Sequence, residues 1–241
     1  MSILVVGASG ATGKLLVEKL LSDGHQLKIV VRTAEKLPDS WKSNAQLTII
    51  TASLLDLNNR EMVALTANCY AVASCLGHNM SIHGIYGQPR KLVTEATKRL
   101  CAAIKVNKPE EPIKFVLMNT TGNRNRDLDE PISFAQKCIV GLIRFLVPPH
   151  ADNESAAEYL RTVIDQNSRF VEWAVVRPDS LIDNSEVSPY EVHPSPTRSA
   201  IFDAGKTSRI NVGHFMASLI TDNALWNQWK GQMPVIYNKE S

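Results

Sequence analysis

Seven residues near the amino terminus, Gly7-Ala8-Ser9-Gly10-Ala11-Thr12-Gly13, have the types and spacing to grip a phosphate. Glycine permits a tight turn and lets a ligand approach bare main chain, so Gly7, Gly10 and Gly13 leave room for a bulky anion. Main-chain N–H groups are then the principal donors, and the hydroxyls of Ser9 and Thr12 add two more, with Ala11 between them too small to obstruct. Such a turn binds a pyrophosphate when a buried strand precedes it and a helix follows. Residues 3–6, Ile-Leu-Val-Val, form an unbroken apolar run that reads as the strand. Leu15, Leu16, Val17, Leu20 and Leu21 then recur at helical spacing before a stop at Gly24. The expected ligand is a dinucleotide.

The end of the second strand bears on which dinucleotide. A site for NAD carries an acidic residue about 20 positions past the turn, where it binds the ribose 2′-hydroxyl. Here that place reads Val31-Arg32-Thr33. Arg32 offers a planar fork of donors suited to a 2′-phosphate, with Thr33 beside it and Lys36 one turn on, so the expected cofactor is NADP(H). The plain alternative is a solvated charge closing a strand.

The elements that must position these residues follow from apolar patterning. Leu27–Val31, Leu47–Thr51, Ala71–Ser74, Phe115–Met118 and Val171–Val176 read as further strands, with helical patterns between most of them. Alternating strands and helices imply right-handed βαβ units and an α/β fold, a Rossmann-type doubly wound parallel sheet with ligands at its carboxyl edge. The length of 241 residues suits a single domain. Between Pro131 and Pro148 an apolar helix is expected over 132–147, interrupted by Lys137 and Arg144 and too short and charged to span a membrane. Two readings stand for it: packing in the core or a subunit contact, and a lid or membrane-surface helix. A further helix is expected to begin near Asp152 or Asn153, either of which can cap it, and to run to about Gln166. Residues 179–207 hold Pro189, Pro194 and Pro196 and read mostly as loop, a small C-terminal region expected to cover the substrate. Residues 212–220 read as helix, and Val235–Tyr237 as a last edge strand.

Bulk properties narrow the class. A formal net charge of +2, with Lys and Arg scattered along the chain, shows no footprint for nucleic acid, so a small-molecule partner is expected. Cys69, Cys75, Cys101 and Cys138 form no CxxC pair and sit in apolar segments, which indicates neither zinc nor disulfides. His25, His193 and His214 have no acidic or cysteine partner at metal-ligand spacing, so no metal site is expected. The first strand begins within a few residues of Met1, leaving no room for a signal peptide, and a cytoplasmic location is expected.

Taken in order, the glycine turn, Val31-Arg32-Thr33, Ser53-Leu54-Leu55-Asp56, Ser74-Cys75-Leu76-Gly77, Asn119-Thr120-Thr121-Gly122 and Val176-Arg177-Pro178 resemble the short-chain dehydrogenase/reductase superfamily. The similarity is to its atypical, NmrA-like NAD(P)-binding branch. The resemblance implies that Ser53 and Leu54 border the adenine, although the family often has Asp where Ser53 stands. It implies that Ser74, Cys75, Leu76 and Gly77 line the ribose side, and that Asn119, Thr120 and Pro178 approach the nicotinamide. Active members pair a Ser after the fifth strand with Tyr-x-x-x-Lys on a helix. With Glu158 and Arg177-Pro178 as anchors, this chain has Thr120, His150 and Glu154 at those places, so the dyad is missing. Tyr159 is followed four residues later by Val163, a register that suits packing. His150 is chemically able to act as a general acid near neutral pH, with Glu154 one turn on to orient it or raise its pKa; alternatively it shapes the helix start after Pro148-Pro149. His78 and His83 stand second in line.

Two functions follow as expectations. One is an NADPH-dependent reductase of a small carbonyl, quinone or flavin-like acceptor, since hydride transfer asks of the protein mainly orientation. The other is an NmrA-like regulatory protein that senses NADP without turnover. A monomer or a homodimer suits either.

Overall fold

The computed structural model describes residues 1–78, 89–128, 130 and 148–239. The expected helix 132–147, Cys138 and His83 lie outside them. Along the chain run β1 (Ser2–Val6), α1 (Ala11–Ser22), β2 (Leu27–Val31), α2 (Asp39–Lys42), β3 (Leu47–Thr51), α3 (Asn59–Thr66) and β4 (Cys69–Ser74). Next come α4 (Leu92–Asn107), β5 (Ile113–Met118) and α5 (Pro148–Tyr159), which continues into a π-helical turn at Leu160–Ile164. The carboxyl-terminal part holds β6 (Val171–Pro178), β7 (Ser180–Ile182), β8 (Tyr190–His193), β9 (Lys206–Ser208), α6 (Arg209–Thr221), α7 (Asn223–Trp229) and β10 (Val235–Asn238).

Among the described residues eight strands form one sheet in the order β3-β2-β1-β4-β5-β6-β10-β8, with β7 and β9 paired apart from it. Strand β1 lies between β2 and β4, parallel to both, so the winding reverses there and the carboxyl ends of β1 and β4 diverge into a crevice. The central strands are apolar on both faces because both faces are covered. On one side Leu16, Val17 and Leu20 of α1 join Phe215, Met216 and Leu219 of α6 in a single cluster. On the other, Met62 of α3, Leu100 and Ile104 of α4 and Ala156 of α5 pack over Phe115, Leu117 and Val175. This is the doubly wound Rossmann-type fold that the strand and helix periods predict.

Three details differ from the sequence reading. Val235–Asn238 is not an edge strand: β10 sits inside the sheet, parallel to β6, and β8 closes the edge by pairing antiparallel with it. The stretch 179–207 contains β7, β8 and the first two residues of β9. Strands of three or four residues carry too little alternation to be read, and their order comes from pairing and from the Tyr190 ring against His214 and Phe215. Among the described residues helix α5 runs from Pro148, so it is already formed ahead of Asp152. Asp152 therefore lies within the helix and caps a different one.

Candidate cofactor and acceptor site

The glycine turn is closed by main chain. Gly7 has φ +77, and a Cβ placed there would meet the Cys75 carbonyl carbon at 2.4 Å; one at Gly13 would meet the Gly7 oxygen at 2.2 Å. Only glycine lets the turn nest between the loop after β4 and the first turn of α1. The Gly10 N–H donates to the Gly7 oxygen at 3.0 Å, and Lys14 N–H donates to Gly10 at 2.9 Å. No side chain caps α1 and its first turn holds no acidic residue, so the unpaired amides from Ala11 onward stay available to an anion. Ser9, Gly10 and Ala11 are exposed, while Thr12 is buried.

Beside this cradle, Ser74 at the end of β4 is 0% exposed and its Oγ has no hydrogen-bond partner among the described residues. A buried hydroxyl without a partner is costly, so its presence next to bare glycines fits a polar group arriving from outside the chain. Cys75 and Leu76 are half-buried and Gly77 is exposed. Arg32 and Thr33 project from the end of β2 and are exposed. Thr33 Oγ1 accepts from Glu35 N–H at 3.3 Å, whereas Arg32 makes no ion pair with the described residues. Ser53 is half-buried and Leu54 buried. Their loop is held from α4 by Arg99, which donates to the carbonyl oxygens of Leu54 at 3.3 Å, Leu55 at 2.5 Å and Leu57. Arg99 escapes a motif search because it binds main chain and could sit on any helix face.

On the acceptor side, Asn119 joins β5 to its neighbours. Its N–H donates to Val176 at 2.8 Å, its Nδ2 to the Asn153 carbonyl of α5 at 2.9 Å, and its Oδ1 accepts from Thr120 N–H at 2.9 Å. Pro178 is buried at the end of β6, where its carbonyl accepts from Thr121 N–H at 3.0 Å. Thr120 and His150 meet over Gly122: a Cβ there would lie 3.1 Å from His150 Nε2 and 3.7 Å from Thr120 Oγ1. Two residues 30 apart in sequence thus share one small space at the carboxyl edge. The Glu154 carboxylate accepts from Arg126 at 2.9 Å. Tyr159 packs against the second core cluster.

Near this edge His78, second in line in the sequence, and Arg177, of the Val176-Arg177-Pro178 stretch, have partners that spacing does not reveal, and Asp179 carries no sequence signal. His78 Nε2 lies 2.8 Å from Asp152 Oδ2, with both side chains buried. Arg177 is 0% exposed and pairs with Glu130, itself 4% exposed, at 2.7 and 3.2 Å. Arg177 also donates to the carbonyls of Met233, Asn123 and Pro194. It thereby ties the strand-five loop to the carboxyl-terminal region. Asp179 follows Pro178; burial pushes its carboxyl above the ordinary value, against the opposing hydrogen bonds from Gly205, Thr121 and Ser180 and the charge of Arg198. Among the described residues no group of three or more His, Cys, Asp or Glu side chains gathers to hold a metal, and no helix is long and apolar enough to cross a membrane.

Comparison with solved structures finds the same architecture. The oxidoreductase ylbE of Lactococcus lactis superposes with a TM-score of 0.70 at 15% identity, covering 100% of this chain and 92% of that one. A short-chain dehydrogenase/reductase of Veillonella parvula in complex with NADP gives 0.69 at 14% identity, over 98% and 94%. ChuY, an anaerobilin reductase of Escherichia coli O157:H7, gives 0.69 at 16% identity, over 100% and 98%. An uncharacterized chloroplastic protein of Arabidopsis thaliana is 43% identical over 54 residues, a match spanning 22% of this chain and 19% of that protein. Residues 7–223 match the NAD(P)H-binding family. The chain belongs to that family and has the fold of a short-chain dehydrogenase/reductase, the match running from Gly7 of the glycine turn to Asn223 at the start of α7.

Proposed function

We propose that the protein is an NADPH-dependent reductase of a small carbonyl, quinone or flavin-like acceptor. The observation that carries this is that Thr120 Oγ1 and His150 Nε2 both lie against Gly122, in the loop after β5 of the same sheet. A hydroxyl and an imidazole facing one space have the chemistry to orient an acceptor oxygen and hold the proton it takes up. When bound, NADPH supplies the hydride. The amides of Ala11 to Gly13, with the hydroxyls of Ser9 and Thr12 and the bare main chain at Gly7 and Gly10 that gives them room, hold the pyrophosphate. Arg32 and Thr33 take the 2′-phosphate; support comes from the exposure of Arg32, its lack of an ion pair among the described residues and the absence of an acidic residue there. Ser53 and Leu54 border the adenine, and Ser74 to Gly77 the ribose, where the orphaned Ser74 hydroxyl gains a partner. Asn119 and Pro178 shape the nicotinamide side. The carboxyl-terminal segment 179–207 covers the acceptor.

Replacement of the Tyr-Lys pair by His150 and Glu154 favours acceptors that need weak proton assistance. NADPH oxidation against quinones, flavins, aldehydes and anaerobilin, the compound named for the Escherichia coli neighbour, tests the assignment. Turnover with at least one acceptor, lowered by His150→Phe, is expected. A protein that binds NADPH and consumes none across the panel is instead the NADP-sensing regulator.

A further inference from the structure

Helix α4 has no cap of its own. Its N-cap residue, Lys91, supplies no side-chain bond, and the amides of its first turn are met from another helix. Asp152, inside α5 and 1% exposed at its side chain, accepts from Val93 N–H at 2.8 Å and from Thr94 N–H at 2.9 Å. Its carbonyl accepts from Thr94 Oγ1 at 2.9 Å. Those bonds complete the cap. The same carboxylate also takes His78 Nε2 at 2.8 Å, an imidazole 5% exposed and one residue beyond Gly77. A carboxylate that already accepts from two main-chain amides takes its third bond as an acceptor too, so His78 Nε2 is the donor to Asp152.

Helix α5 is thus anchored at two adjacent points. Asn119 reaches the Asn153 carbonyl from β5, and His78 reaches Asp152 from the loop after β4. His150 precedes Asp152 by two residues on the same helix. We propose that His78 is a positioning residue: through Asp152 it couples the Ser74–Gly77 loop to α5, so that cofactor contacts with that loop set where the His150 imidazole sits. The inference rests on the assignment of that loop to the cofactor and of His150 to the acceptor.

The full-length chain carries the test, with His78→Leu, which removes the bond to Asp152, and His78→Gln, whose amide still donates; both leave the α4 cap in place. His150 imidazole resonances are followed by NMR with and without NADP+, cofactor affinity by calorimetry, and turnover with whichever acceptor the panel identifies. In the wild type NADP+ shifts the His150 signals. In His78→Leu the cofactor is expected to bind within about threefold of wild type while the His150 response is lost. The kcat should fall about tenfold to a hundredfold at little-changed KM, the scale of loss for a reacting group displaced by about 1 Å. His78→Gln should restore both. An undiminished His150 response in His78→Leu, or a glutamine variant no better than leucine, overturns the coupling. If NADPH is bound but never oxidised, the reductase assignment fails while the NMR comparison still decides the coupling.

Discussion

Arg32→Glu isolates the contact that would choose between the two nicotinamide dinucleotides. Arg32 follows β2, is exposed and has no ion pair among the described residues, so its replacement removes nothing that the fold uses. Thermal stability is expected to stay within about 0.5 kcal/mol of wild type, as for other surface changes. Binding differs. A hydrogen bond between a guanidinium and a phosphate contributes about 1.5–3 kcal/mol, which converts to about 10- to 150-fold in Kd. Glutamate adds repulsion against the 2′-phosphate, at a separation shorter than the Debye length of about 8 Å at physiological salt, so screening does not erase it. Lys36, one turn on and exposed, offsets part of the loss. Calorimetric titration of wild type and variant with NADPH and with NADH measures both sides of the comparison. NADPH should weaken by at least about tenfold while NADH changes by less than about twofold. An equal loss for both cofactors, or none for NADPH, refutes the assignment of Arg32 to the 2′-phosphate.

Three further outcomes are expected. Ser74→Ala removes a buried hydroxyl that has no partner among the described residues, so the cofactor-free protein should gain about 1 kcal/mol in urea unfolding, while the stabilisation by added NADPH shrinks; a loss of stability without cofactor would count against the orphaned hydroxyl. Glu130→Ala strands the buried Arg177 charge and should cost about 3–5 kcal/mol, with a urea midpoint little different from wild type as the contrary result. Asp179→Asn tests a carboxyl whose folded-state pKa is raised above the ordinary 3.8. Such a group favours the native state fully below its unfolded-state pKa, and that contribution is lost as pH rises through the folded value, so the asparagine variant should be the more stable at neutral pH with its advantage vanishing in acid. Stability curves that run parallel across that range would show that Asp179 is not held in this way.

Local signals proved legible where the physics is local. Continuous apolar runs located β2 and β3 with the bounds observed, and the glycine turn stands where strand, turn and helix follow within a few residues. The same economy explains the misses. Strand β8 is four residues long and acquires its place from β10, which lies more than 40 positions later, so no window of sequence contains the pairing. Asp152 looks like a cap for its own helix because Asp precedes a helical pattern there; its carboxylate instead serves α4, some 60 residues away.

The order of residues along the chain therefore decides that a parallel sheet forms and that a glycine turn opens its first helix, since both depend on side-chain period and backbone freedom within single elements. Folding alone decides which distant groups share a space. Thr120 meets His150, His78 meets Asp152 and Arg177 meets Glu130 because separate strands and helices end at one edge of the sheet. Burial then gives the pairs withdrawn from water, His78 with Asp152 and Arg177 with Glu130, their weight, because each partner left alone there would be costly.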